Sequence, residues 1–164
     1  MVAQAGSDAT PRDDAIRLLA RREHSRAELA SRLAAKGHEP AAIGECLDAL
    51  VEQGLQSDAR FAESFLRSRL LRGQGPLKIR AELERRGIDR ELMRAVVDAA
   101  TVAEAGEADW HELACQTLAR RFSGPGDSPR ERARRERFLA GRGFDFDQVR
   151  FALDHAWDAA PDPD

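Results

Sequence analysis

The chain has 164 residues, of which 42% are hydrophobic, so it is long and apolar enough to form a core, and disorder throughout is excluded. Ala and Leu dominate the apolar residues, and runs of Val, Ile or Thr are few, which predicts helices and essentially no sheet. The formal net charge of −3 argues against a generally basic nucleic-acid coat, although the charge is unevenly distributed.

The first predicted unit, residues 11–55, contains three helices. Thr10-Pro11 supplies an N-cap and a proline at the first helical position. Ser25-Arg26-Ala27-Glu28 is a capping box that opens the second helix, and Gly37 is placed to close it in the left-handed conformation. Pro40 begins the third helix, which carries an apolar stripe at helical spacing.

The second predicted unit, residues 57–101, repeats this pattern, with helices beginning at Asp58, after Gly75-Pro76 and at a cap formed by Asp89. Setting Gly37 over Gly87 aligns apolar positions throughout both units. The aligned pairs are Leu29 with Ile79, Leu33 with Leu83, Ile43 with Met93, and Leu47 with Val97. A tandem repeat of about 50 residues follows from this alignment.

The third predicted unit, residues 108–157, follows a small-residue linker from Thr101 to Ala108. Three capping boxes are predicted to open its helices: Asp109 to Glu112, Ser128 to Glu131, and Asp145 to Gln148. Gly143 aligns with Gly87, but this alignment places Arg135 at the position that Ile79 occupies in the second unit. We expect the insertion Ser123-Gly124-Pro125-Gly126 to shift that helix out of register.

The predicted fold is therefore all-α, with three tandem three-helix repeats forming an elongated, curved helical array. Residues 1–10 are expected to be a disordered tail and residues 158–164 an acidic tail. Cys46 and Cys115 occur singly within helical patterns, so we interpret them as core residues in a reducing compartment. With no signal core or membrane-spanning stretch, a cytoplasmic protein is expected.

A search for catalytic chemistry yields no convincing centre, and we predict no enzyme, no metal and no cofactor. The four histidines are scattered, without a pair one helical turn apart. Gly73-Gln74-Gly75-Pro76 lacks the lysine and serine of a phosphate-binding loop and follows a helix, so a helix-to-helix turn is the better interpretation. Six aromatic residues at helical spacing are interpreted as core rather than as a stacking platform for bases: Trp110, Phe122, Phe138, Phe144, Phe146 and Phe151.

Cations are concentrated in the middle of the chain, where ten occur against five acids between Arg60 and Arg94. They suit phosphates or an acidic protein surface, while a solvated helix face laced by acid–base pairs explains the charges equally well. A second, denser band runs from Arg130 to Arg137, with Glu131 and Glu136 inside it.

Four ordered strings of residues resemble the RecX family, and the match extends from about Ala15 to Trp157. The strings are Ala20 to Leu29; Gly54 to Glu63 with Arg67-Ser68-Arg69; Arg72 to Pro76 with Ile79, Glu82-Leu83 and Arg86-Gly87-Ile88; and Arg137-Phe138-Leu139 with Arg142-Gly143-Phe144. The resemblance implies three tandem three-helix repeats, in agreement with the periodicity.

The resemblance also implies a regulator that binds the recombinase RecA and its nucleoprotein filament and lowers its activities, with no catalysis of its own. We expect a monomer, with possible single- or double-stranded DNA contacts through its basic faces. The motifs do not single out contact residues, and our candidates for partner or phosphate contact are cations. They are Arg60, Arg67, Arg69, Arg72, Lys78, Arg86, Arg130, Arg134 and Arg142.

Three other interpretations stay open. A helical DNA-binding module acting without a recombinase predicts salt-dependent DNA binding by the protein alone. A small nuclease predicts turnover with a divalent metal. A helical-repeat scaffold predicts a protein partner but no effect on recombinase activity.

Overall fold

A computed structural model describes residues 8–102 and 109–158 of the chain, and within these ranges it contains nine α-helices and no strand. The helices are α1 Pro11–Arg21, α2 Arg26–Ala35, α3 Pro40–Glu52, α4 Asp58–Leu71, α5 Pro76–Arg85, α6 Arg90–Val102, α7 Trp110–Arg121, α8 Pro129–Gly141 and α9 Phe146–His155. The predicted all-α fold of tandem three-helix repeats is confirmed; unit 1 denotes α1–α3, unit 2 α4–α6 and unit 3 α7–α9.

Parts of three predicted segments lie outside the described residues. They are positions 1–7 of the N-terminal tail, positions 103–108 of the linker and positions 159–164 of the acidic tail. The first two linker residues, Thr101 and Val102, are helical and extend α6.

Side-chain caps start most of the helices where the sequence predicts them. Reciprocal capping boxes form at Thr10, Ser25 and Asp145, each of which accepts a hydrogen bond from the third helical residue and receives that residue's side chain in return. At Asp109 and Ser128 the predicted side-chain cap forms, but the prediction of a capping box is wrong, because the glutamate makes no return bond to the backbone of the capping residue.

The two missing return bonds have a common cause, which is that the third-position glutamate has another donor. Glu112 accepts from the Gln116 amide at 3.2 Å. Glu131 accepts from the backbone N–H of Asp127 at 2.6 Å, one residue before the cap. Whether a capping box forms therefore depends on the other hydrogen-bond donors near the glutamate, and the four-residue motif does not contain that information.

Each unit buries its own apolar cluster, built from the positions that the repeat alignment brings together. Leu29, Leu33 and Leu50 are fully buried in unit 1, and Ile79 and Leu83 are fully buried in unit 2. Unit 3 buries a cluster that includes Ala114, Leu118, Leu139 and Ala152.

Trp110, the first residue of α7, is the exception to this division because it packs into the cluster of unit 2. Trp110 therefore links unit 3 to unit 2 by apolar contact, in addition to the backbone hydrogen bonds that join the two units.

The middle helix of each unit ends at an equivalent glycine. Gly37, Gly87 and Gly143 have φ values of 90°, 76° and 93°, the left-handed conformation that closes a helix without a Cβ penalty. In each case the N–H of the following residue donates to the carbonyl five residues earlier, as in Ile88 to Leu83 at 3.1 Å. The alignment of these three glycines is thereby confirmed.

The middle helices of units 2 and 3 meet end to end. At this joint the N–H of Gly75 donates to the carbonyl of Arg142 at 2.8 Å, and the N–H of Leu77 donates to the carbonyl of Gly143 at 2.9 Å. Free N–H groups at the start of α5 are thus satisfied by free carbonyls at the end of α8. The positive end of one helix dipole faces the negative end of the other, which stabilises the joint.

Units 1 and 2 also meet where one middle helix ends and another begins, but here side chains supply the hydrogen bonds. The Ser25 hydroxyl donates to the carbonyl of Arg86 at 2.7 Å, and the N–H of Arg26 donates to the Asp58 carboxylate at 2.8 Å. A Cβ added at Gly87 would lie 2.5 Å from that of Ala27, so the two chains touch at the glycine. The end of α8 therefore meets the start of α5, and the end of α5 meets the start of α2.

The insertion Ser123-Gly124-Pro125-Gly126 does not shift α8 out of register, and Arg135 lies at the core position that the alignment gives it. It is 9% exposed at the position equivalent to Ile79, with Leu139 fully buried one turn later. Its Nε donates to the carbonyl of Gly124 at 2.8 Å, and its guanidinium lies 4.5 Å from the ring centroid of Phe122. The insertion supplies a carbonyl acceptor for an arginine that occupies a core position, so the register is kept.

Both cysteines are reduced, and Cys115 is buried. Burial raises the pKa of the Cys115 thiol to about 11, with smaller contributions from Glu112 and Asp109. Only the thiolate reacts with disulfide reagents, so this rise in pKa lowers the fraction of Cys115 that can react by roughly 100-fold. A Cys46→Ser variant isolates this thiol.

We expect the native Cys46→Ser variant to resist an aromatic disulfide reagent at pH 8 and to react within minutes in guanidinium chloride. Absorbance of the released thiolate measures both rates. A native rate equal to the unfolded rate would contradict the buried placement of Cys115.

Candidate partner-binding surface

The candidate cations divide into two groups in the structure. Four have intramolecular partners that hold the units in place: Arg60, Arg69, Arg86 and Arg142. Of the other five, Arg67, Arg72, Arg130 and Arg134 are exposed and Lys78 is half-buried.

Arg69 and Arg86 form one cluster inside unit 2. Their guanidinium carbons lie 4.5 and 4.7 Å from the ring centroid of Phe65, and the Nε of Arg69 lies 3.2 Å from a carboxylate oxygen of Glu82. The Arg69 and Glu82 side chains are 15% and 17% exposed, so much of this ion pair is shielded from water. These two arginines orient α4 against α5 and have little surface left for a partner.

Arg60 and Arg142 link neighbouring units. Arg60 lies 3.2 Å from a carboxylate oxygen of Glu23 and donates to the carbonyl of Gly54 at 2.7 Å, which joins α4 to unit 1. Arg142 donates to the carbonyl of Arg72 at 3.1 Å, across the joint between units 2 and 3. Removing either side chain would disturb the array itself.

Arg67 and Arg72 are exposed near the end of α4, and their guanidinium groups have no hydrogen bond or ion pair with any described residue. Arg130 is exposed at the start of α8 in the same unpaired state, within the part of the chain that the structure covers. Arg134 lies 5.9 Å from the ring centroid of Phe122, at the limit of a cation–π contact. Lys78 is half-buried beside Gly143 at the joint.

Unit 3 contains a groove that no sequence motif indicates. A cavity of about 530 Å³ lies between α8 and α9, and its lining includes Arg132, Arg137 and Arg150. Phe146 also lines it and is 73% exposed, and Phe151 on the same helix is 39% exposed, so the interpretation of these two aromatics as core is wrong. The capping box had already placed Phe146 at the first position of α9, where a side chain can point away from the core.

The described residues give no support to a metal site. Within them, no group of three or more His, Cys, Asp or Glu side chains is placed to hold an ion. No helix in residues 8–102 or 109–158 is long and apolar enough to cross a bilayer.

The architecture is that of a helical-repeat protein, in which tandem units are linked to their neighbours and present a surface that extends over several units. Models of the first, second and third three-helix domains of RecX match residues 12–50, 57–105 and 107–153. The chain belongs to the RecX family.

Curated relatives and solved structures agree with this assignment. A Regulatory protein RecX from Chromohalobacter salexigens is 64% identical over 152 residues, which cover 92% of this chain and 95% of the relative. Another from Halorhodospira halophila is 49% identical over 152 residues, covering 92% and 89%. The crystal structure of RecX from Lactobacillus salivarius has a TM-score of 0.70 at 22% identity, covering 89% of this chain and 94% of that one, which supports the fold.

Proposed function

We propose that this protein is a regulator that binds the recombinase RecA and its nucleoprotein filament. In this proposal it limits filament extension and lowers recombinase, ATPase and co-protease activity, and so modulates homologous recombination, DNA repair and the SOS response. Membership of the RecX family supports the regulatory role, because the similar curated relatives carry the name Regulatory protein RecX. The action takes place in the cytoplasm and involves no catalytic step and no cofactor.

The observation that carries the binding surface is the unpaired state of Arg67 and Arg72. An exposed guanidinium without an intramolecular partner can bind a carboxylate or phosphate bidentately without breaking a contact of the fold. Arg72 follows the last residue of α4, at the joint where Arg142 reaches its carbonyl, and Arg67 lies more than one helical turn earlier in α4. A partner that touches this edge would therefore meet units 2 and 3 together.

The joints between units also favour binding of an extended partner. Backbone hydrogen bonds fix α5 against α8, so contacts made by neighbouring units are held in a defined relation. Contacts on connected units act at high effective concentration, and rigidity lowers the entropy lost on binding. Tighter binding to one filament state than to another would shift the filament population toward that state.

Reversing the charge at Arg67 and Arg72 is expected to weaken inhibition of the recombinase. We predict that Arg67→Glu/Arg72→Glu raises the concentration needed for half-inhibition of RecA ATP hydrolysis about 10-fold or more, because each lost charge-assisted contact is worth about 1–2 kcal/mol. The assay uses RecA from the same organism on single-stranded DNA. Circular dichroism should show unchanged helicity.

The matched control is Arg21→Glu/Arg120→Glu, which makes the same charge change at two exposed arginines in the last turns of α1 and α7. Equal inhibition by both double variants would contradict the Arg67 and Arg72 surface. Failure of the unmodified protein to inhibit at equimolar amounts would contradict the proposed function. Salt-dependent DNA binding in its place would favour the DNA-binding module.

A further inference from the structure

The groove between α8 and α9, called here the α8–α9 groove, is a concave surface of unit 3 that the fold does not fill. Its volume of about 530 Å³ is within the range of about 300–1,000 Å³ that binding clefts typically have. Arg132, Arg137 and Ala140 line it from α8, and Phe146, Val149 and Arg150 from α9. The groove combines an apolar floor with a cationic rim.

Exposure of Phe146 is the first sign of a docking function. The ring is 73% exposed, although Phe144 and Val149 on either side of it are buried in the core of the unit. The Asp145 side chain caps α9, so the phenylalanine is not needed to start the helix. An exposed aromatic ring beside a cavity is the kind of residue that anchors protein interfaces.

The charges around the ring define what the groove would accept. Arg132 is 3.1 Å from a carboxylate oxygen of Asp154, whereas Arg137 and Arg150 have no ion pair or hydrogen bond with any described residue. Glu136 is the single acid among the lining residues, so the lining carries three cations against one anion. An anionic ligand with an apolar side chain complements this surface.

A protein segment fits these features better than nucleic acid does. The buried Val149 and Phe144 form a floor suited to an aliphatic or aromatic side chain, which a protein segment supplies and a phosphate backbone does not. Paired carboxylates at the rim would meet Arg137 and Arg150, the two cations that are free.

We propose that the α8–α9 groove binds an acidic segment of the filament protein, with an aliphatic or aromatic side chain of that segment packed against Phe146 and its carboxylates bound by Arg137 and Arg150. The inference rests on the proposed function, because it takes the recombinase as the partner. It adds a second contact on unit 3, distinct from the Arg67 and Arg72 surface on unit 2.

Site-specific photocrosslinking tests the proposal. Phe146 is replaced by the photoreactive p-benzoylphenylalanine in the full chain, and the same residue is placed at Val51 as a control, since Val51 is an exposed apolar residue on unit 1. Both proteins are irradiated with RecA filaments on single-stranded DNA, and captured peptides are identified by mass spectrometry. We expect the Phe146 position to capture RecA about fivefold or more above Val51, at a peptide rich in Asp and Glu.

Charge reversal gives a second, independent readout. Arg137→Glu/Arg150→Glu, added to the photoreactive protein, is expected to lower the crosslinking yield about tenfold, while Arg21→Glu/Arg120→Glu leaves it unchanged. Capture of DNA, or of a neutral or basic peptide, would overturn the proposal, as would a yield that the groove variant does not reduce.

Co-sedimentation separates the failure of this inference from that of the proposed function. If the unmodified protein sediments with the filament but position 146 captures no more RecA than position 51 does, the groove proposal alone is wrong. If the unmodified protein does not sediment with the filament, the proposed function fails, and the groove proposal fails with it.

Discussion

Replacing Gly75 with alanine is expected to destabilise the protein by about 2–3 kcal/mol, because the new methyl group has no room at the joint between units 2 and 3. A Cβ at this position would lie 2.5 Å from the carbonyl carbon and oxygen of Gly143 and from the backbone nitrogen of Phe144. All three atoms belong to the backbone and cannot rotate away. The joint must open, and opening it lengthens the hydrogen bonds from Gly75 and Leu77 across the joint.

The effect of Gly75→Ala can be assigned to the contact alone, because the backbone conformation of Gly75 is one that any residue can adopt. Its φ is −86°, which alanine adopts without strain, so the loss reports the contact with Gly143 and not backbone strain. The matched control is Gly44→Ala in the middle of α3, where an added Cβ meets nothing within 4 Å. That change should stabilise the protein by about 0.5–1 kcal/mol, since alanine favours a helix over glycine.

Urea denaturation followed by circular dichroism measures both variants. We expect a lower midpoint for Gly75→Ala, and a broader transition if the third unit uncouples from the second. A midpoint for Gly75→Ala equal to or above that of the unmodified protein would show that the two chain segments do not touch as the structure describes.

Arg135→Ala is expected to cost about 3 kcal/mol, which is unusual for an arginine and reflects its core position. The substitution removes the donor to the carbonyls of Gly124 and Glu131, at 2.8 and 3.0 Å, and leaves a cavity beneath the Phe122 ring. The 123–126 insertion would lose the side chain that anchors it.

Two further variants separate the hydrocarbon of Arg135 from its charge. Arg135→Met keeps the stem without the donors and should lose about half as much as the alanine, because arginine stems contribute packing of their own. Arg130→Ala, at an exposed arginine of the same helix, should change stability by less than about 0.5 kcal/mol. Thermal unfolding checks all three, and an equal, small effect at positions 130 and 135 would refute the buried role of Arg135.

The repeat itself was predictable because its signals are local. Caps such as Ser25 and Asp145 satisfy backbone donors only a few residues away, and a glycine such as Gly37 closes its own helix. The glycine alignment of the units held for the same reason. Where the caps at Asp109 and Ser128 differed from expectation, the glutamate had found a competing donor nearby.

Which cations are paired and which are exposed could not be predicted in the same way, because the position of a charge in the sequence does not show what lies opposite its side chain in the fold. Arg69 and Arg72 are three residues apart, yet the first packs over Phe65 and the second faces solvent. Arg137 and Arg150 are brought to one groove from two helices, and their common location exists only after α8 and α9 pack.

The sequence by itself determined the all-α fold, the three tandem units and most of their buried positions, because helix periodicity and caps act over a single turn. The tertiary structure alone decided how the units are joined and which charges are free. Gly75 has no room for a Cβ because two helix ends meet there at backbone contact distance, and that contact joins it to Gly143, nearly 70 positions away. Long-range approach of this kind leaves no local pattern, so the joints and the α8–α9 groove follow from packing.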